Sequence, residues 1–152
     1  MLSGSKKKKP PEQSIMIRDY IPEDYPQIIV LWKLTGMGDE RRGDDQQVIE
    51  RSLELGGRLL VMTGLPGNEI IGTSWITYDG RRLHLHHFGI HPDYQGQGLS
   101  HRLTEASIAF ARKKKTQIKL EVHRDNRKAV SLYKKHGFKY LGDYNIYIIR
   151  DP

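Results

Sequence analysis

The chain has 152 residues, the length of one domain with a real core and too short for two full-sized ones. Its 37% hydrophobic and 28% charged residues exclude a fibrous or wholly disordered chain, and the longest purely apolar run, Ile28 to Trp32, is too short to cross a bilayer. Without cysteine there is no disulfide framework, thiolate nucleophile or cysteine zinc site, which suits the cytoplasm.

The N-terminal residues 1–14, with Lys6 to Lys9 ahead of Pro10-Pro11, lack the apolar stretch of a secretory signal and read as a disordered basic tail. Residues 15–152 then form the domain. Ser14 to Tyr20 is a predicted strand, and Pro22 to Leu34 a helix with Tyr25, Ile28, Ile29 and Trp32 inward and Gly36 as its stop. Asp44 or Asp45 caps a second helix to Leu55, with Val48, Ser52 and Leu55 on one face. Arg58 to Thr63, Glu69 to Tyr78 and Arg82 to Ile90 follow as antiparallel strands, the last two joined by an Asp79-Gly80 turn. A helix opens near Gly98, since Leu99, Leu103, Ala106 and Phe110 recur at helical spacing. Gln117 to His123 alternates as a strand, Asn126 caps a helix through His136, Gly137 closes it, and Phe138 to Ile149 supplies two short final strands.

Charge is unevenly spread along this order. The formal net of +7 comprises +9 from residues 110–140, +3 from residues 1–14 and −5 from the rest. A cationic face of that kind favours a polyanionic ligand, although a solvated basic helix face explains the same residues.

Between the strand ending at Ile90 and the helix near Gly98 lies His91-Pro92-Asp93-Tyr94-Gln95-Gly96-Gln97-Gly98-Leu99-Ser100. Its glycines let consecutive N–H groups and a helix N-terminus converge on an anion, as a pyrophosphate cradle requires. No Gly-Lys-Ser/Thr follows, so it is not a nucleotide P-loop. A dinucleotide-binding turn fails on His101, which stands where the third glycine belongs, and on the roughly 50 residues left for the rest of a doubly wound sheet.

The motif Gln95-x-x-Gly98-x-Ser100, led by Phe88 to Pro92, resembles the acyl-CoA signature of the GNAT superfamily of N-acetyltransferases, with Ser100 where glycine or alanine is usual. Downstream, Asn126-x-x-Ala129-x-x-Leu132-Tyr133-x-x-x-Gly137-Phe138 is similar to the family's second signature. The resemblance spans residues 15–150 and implies an α/β fold whose mixed central sheet splays between its fourth and fifth strands, flanked by about four helices. It implies acetyl-CoA as co-substrate and no metal. The thioester would rest on the backbone of Phe88, Gly89 and Ile90. The diphosphate would meet N–H groups from Gln95, Gly96, Gln97, Gly98, Leu99 and Ser100, with Asn126, Arg127 and Lys128 also on the cofactor.

Transfer to an amine needs a base, a held carbonyl and a proton for the departing thiolate. The resemblance makes Tyr133 the acid, a phenol protonated at neutral pH, where helical spacing alone reads it as a core aromatic. His84 and His86 share a strand face, and an ordinary imidazole accepts protons near neutrality. Their spacing resembles the His-x-His of arylalkylamine N-acetyltransferases. Glu121, twelve residues before Tyr133 as in the ribosomal-protein N-terminal acetyltransferases, is the rival base. His87 should face away from the pair, which disfavours a metal site among His84, His86, His87 and His91. Acidic residues Asp39, Glu40, Asp44, Asp45, Glu50 and Glu54, set against Arg41, Arg42 and Arg51, favour a cationic acceptor or form a solvated helix face. The expectation is a monomeric or homodimeric N-acetyltransferase acting on a primary amine, a small one rather than a protein N-terminus or lysine. It touches neither membrane nor specific nucleic acid. The alternative from another class is an acyl-CoA-sensing or nucleic-acid-binding module.

Overall fold

The computed structural model describes residues 14–38 and 40–152, so the expected basic tail lies, but for Ser14, outside the described residues. The chain divides into two compact units, one up to Glu121 and one from Val122 to Pro152.

In the first unit the strands β1 (Ile15–Asp19), β2 (Arg58–Gly64), β3 (Glu69–Tyr78) and β4 (Arg82–Ile90) pair antiparallel in series, and β5 (Gln117–Leu120) joins β4 in parallel. The β3–β4 turn forms as its residues dictate. Gly80 takes a φ of +91°, and Asp79 Oδ1 accepts from the backbone N–H groups of Arg81 and Arg82 at 2.8 and 2.7 Å.

A 3₁₀ turn at Pro22–Asp24 leads into α1 (Tyr25–Thr35), and α2 (Gln46–Glu54) begins where Asp45 accepts from the Val48 N–H at 2.9 Å. These helices bury Ile28, Ile29, Leu31, Trp32 and Ile49 against Leu59, Val61 and Trp75 on one sheet face. The buried member of α2 is Ile49, whereas Leu55, expected inward, is exposed just past the helix end. The helix α3 (Leu99–Lys114) covers the other face, where Leu99 and Leu103 meet Leu60, Met62, Ile71 and Ile90. Its polar contact is satisfied inside, Ser107 Oγ lying 2.7 Å from Ser74 Oγ.

The second unit contains α4 (Arg127–Lys135), capped by Asn126, whose Oδ1 accepts from the Ala129 N–H, and followed by Gly137 at φ +95°. Two expectations fail near this boundary. The strand β5 stops at Leu120 rather than His123, and residues 138–149 form no strand. Alternating apolar residues make a strand only where a partner offers a backbone edge. Tyr140, Leu141, Tyr144, Ile146, Tyr147, Ile148 and Ile149 all remain exposed.

Candidate functional site

The pairing of β4 with β5 runs from Arg82–Gln117 to Leu85–Leu120 and ends there. On that side β4 continues from His86 to Ile90 with no strand alongside among the described residues, so the sheet opens at the expected place, beside Phe88, Gly89 and Ile90. A bulge accompanies the opening. Gly89 pairs with Thr73 and His86 with Trp75, so two β4 residues, His87 and Phe88, oppose the single Ser74.

The bulge corrects one expectation. His87 adopts a φ of +42°, rare for a side chain of its size, and its ring lies 4.4 Å from Trp32 and 5.0 Å from Trp75. The extra residue cancels one step of strand alternation, so His87 falls on the same sheet face as His84 and His86. Asp44 Oδ2 lies 3.1 Å from its Nε2, but off the line of a hydrogen bond. Among the described residues neither ring nitrogen has a hydrogen-bond partner, although both are shielded from solvent. The His87 carbonyl accepts from Thr73 Oγ1 at 2.8 Å, and Thr73 Oγ1 accepts from Trp32 Nε1 at 2.9 Å, which ties the bulge to α1. Strain at a bulge beside an open strand is retained because packing on both sides fixes it.

His84 and His86 stand together with ring centroids 6.0 Å apart. His86 Nε2 lies 2.9 Å from Thr77 Oγ1, and His84 Nε2 lies 3.2 Å from Asp79 Oδ2. The N–H groups of Arg82 and Arg81, then His84, hold the Asp79 carboxyl well below the usual carboxylate range. Crowding of protein around the His86 ring, then the neighbouring His87 and His84, push its pKa down to about 4. His86 is nonetheless an exposed residue, and it is neutral at pH 7. Glu121 is exposed one residue past β5. No cluster of three or more histidine or acidic side chains suited to a metal ion occurs among the described residues.

The loop after β4 is built by its own side chains. His91 Nδ1 accepts from the Asp93 N–H at 3.0 Å, the buried Tyr94 donates to Glu69 Oε2 at 3.2 Å, and Gln95 Nε2 donates to the Ile90 carbonyl at 2.8 Å. Gln95 therefore ties the loop back to β4. Gly96 and Gly98 are left-handed at φ +78° and +77°. No side chain caps α3 at Gly98, and a Cβ built there would meet nothing within 4 Å. The first N–H groups of any α-helix lack intrahelical partners, so an uncapped N-terminus behind open space at a glycine fits an anionic diphosphate. Gln97, Leu99 and Ser100 lie in this same turn.

In the second unit Tyr133 is buried, its ring 5.6 Å from Phe138, and burial pushes its pKa up to about 12. Arg127 and Lys128 are exposed in the first turn of α4. Arg127 also lines a shallow basic cleft with Arg124, Lys134 and Lys135. Of the acidic residues, Asp45 caps α2 and Glu50 accepts from Tyr20 and Gln46, so both have structural duties. Asp39 lies outside the described residues.

A mixed sheet that opens after its fourth strand, followed by a glycine turn into an uncapped helix, defines an α/β protein with an anion-binding turn at the mouth of its sheet. The comparisons agree. The model of the Acetyltransferase (GNAT) family matches residues 17–138, and the chain belongs to that family. It is 32% identical over 123 residues to an acetyltransferase of Sodalis glossinidius (strain morsitans), covering 78% of this chain and 83% of that one. The fold is similar to an acetyltransferase from Streptococcus agalactiae, at a TM-score of 0.75 and 22% identity over 91% and 93% of the two chains. It is also similar to a GNAT family acetyltransferase from Elizabethkingia anophelis with acetyl-CoA bound, at a TM-score of 0.59 and 21% identity over 84% and 78%. Family membership indicates acetyl transfer, and the GNAT fold uses acetyl-CoA.

Proposed function

We propose that this chain is an N-acetyltransferase that moves the acetyl group of acetyl-CoA to a primary amine, with a small amine as the preferred acceptor, by direct attack in a ternary complex. The observation that carries the reading is the open side of β4 beyond Leu85, where the strand from His86 to Ile90 has no strand beside it among the described residues and the imidazoles of His84 and His86 stand close by. Acetyl-CoA supplies an activated carbonyl. The N–H groups at Gly96, Gly98, Leu99 and Ser100 bind its diphosphate, joined by Arg127, Lys128 and Asn126.

The remaining work is done by side chains. His84 and His86 together relay the proton of the acceptor ammonium, directly or through water, and the ionised Asp79 facing His84 stabilises the charge that arrives there. The neutral amine nitrogen forms the C–N bond, the C–S bond breaks, Tyr133 donates its proton to the thiolate, and the second proton shed by the new amide nitrogen returns through water to the Tyr133 phenolate. A phenol with its pKa at about 12 is fully protonated at neutral pH and so carries a proton to give. Glu121 is the other base this reading admits.

The test is a screen of amine acceptors scored by CoA release with the full chain. Release above the rate of hydrolysis with at least one small amine is expected. Acetyl-CoA binding without release for any amine, peptide N-terminus or lysine would replace this reading with acyl-CoA sensing.

A further inference from the structure

The residue over Gly89 is Met37. A Cβ built on Gly89 would lie 2.7 Å from Met37 Sδ and 2.9 Å from Cε, so the thioether fills the space that the missing side chain leaves on β4. This placement follows from the local sequence Gly36-Met37-Gly38. Gly36, left-handed at φ +69°, ends α1 and turns the chain back onto the sheet, where the Met37 N–H donates to the Trp32 carbonyl at 2.9 Å. Gly38 passes so close to the sheet that a Cβ there would lie 2.9 Å from the Trp32 ring and 3.1 Å from His87. Nothing larger fits at residue 38 without moving an indole that is wholly buried. Two glycines and the bulge at His87 thus hold one long, apolar side chain against one strand residue.

We propose that Met37 is a specificity-determining residue that sets the length of the acyl chain this protein accepts, admitting acetyl and excluding longer chains. The inference rests on the reading that Phe88, Gly89 and Ile90 hold the thioester. The methyl of an acetyl group extends only one carbon past the carbonyl, whereas propionyl and butyryl add one and two methylenes. Cutting Met37 back to alanine removes three heavy atoms, enough for either. Methionine suits the task of closing a gap above a bare backbone, because its unbranched thioether adapts to irregular space.

The test is calorimetric titration of the full chain with acetyl-, propionyl- and butyryl-CoA, which needs no acceptor and no turnover. Wild type is expected to bind butyryl-CoA no more tightly than acetyl-CoA. Met37→Ala is expected to reverse that order, with affinity rising about fourfold per added methylene once space exists. Met37→Leu, of equal bulk, should keep the wild-type order, and Met37→Val should admit propionyl but not butyryl, which preserves the test if the alanine variant does not fold. Acetyl-CoA binding with an unchanged order of the three donors in Met37→Ala and Met37→Val would overturn the inference alone. Failure of wild type to bind any of the three would overturn the thioester reading along with it.

Discussion

Gly98→Val probes the loop between β4 and α3 most directly. Gly98 sits at φ +77° and ψ +4°, a region that costs an L side chain about 1–2 kcal/mol. Its Cβ direction meets no heavy atom within 4 Å, so the valine strains backbone without colliding with the protein. At about 2–4 °C per kcal/mol for a chain of this size, Tm should fall by roughly 2–8 °C with the fold intact. Acyl-CoA binding should suffer far more, because the added methyls occupy the open space in front of the α3 N-terminus. Loss of two charge-assisted N–H bonds at about 1.5–3 kcal/mol each amounts to about 3–6 kcal/mol, a weakening of more than about 100-fold in Kd. Calorimetric titration with acetyl-CoA below both melting temperatures reads the effect, with circular dichroism to verify folding. Gly98→Ala carries the same backbone strain with less bulk, so its Tm should drop alike and its Kd less. A folded Gly98→Val variant that binds acetyl-CoA within about threefold of wild type would refute the cradle.

Tyr133→Phe should lower kcat by roughly 100-fold or more with little change in acetyl-CoA affinity, as expected for loss of a general acid. Replacing His84 and His86 together by glutamine should abolish the acidic limb of the kcat/KM profile while Glu121→Gln preserves it, and the reverse result would give the base role to Glu121. Because His86 has its pKa lowered from 6.5 to about 4, the unfolded chain binds more protons in that window, so stability falls as pH drops through it. His86→Gln should flatten that decline in urea titrations between pH 6.5 and pH 4. Asp24, buried and bonded at 2.7 and 2.9 Å by the Arg18 guanidinium and at 2.9 Å by the Ile21 N–H, stays ionised against its burial with its pKa held below 3.8. Its stabilisation is therefore present above pH 3.8 and lost as pH falls through the depressed value, and Asp24→Ala should cost about 2–3 kcal/mol at pH 7 by urea unfolding.

Short-range chemistry was readable from the sequence alone. The Asp79-Gly80 turn, the Asp45 and Asn126 caps, the left-handed Gly36 and Gly137 and the glycine turn before Leu99 each depend on residues within a few positions, so spacing determined them. The periodicity of β3, β4 and α3 likewise placed those elements, and with them the family motifs. Long-range packing decided the rest. The bulge that brings His87 onto the face of His84 and His86 exists because Trp32 and Trp75, far apart in sequence, clamp the ring from both sides. No alternation rule contains that extra residue. Similarly, Met37 reaches Gly89 only because α1 ends over β4, and the apolar alternation of residues 138–149 yields no strand because pattern specifies a face and not a partner. Where β5 stops, and hence where β4 opens, is set by the sheet rather than by the residues of β5, whose alternation runs on to His123.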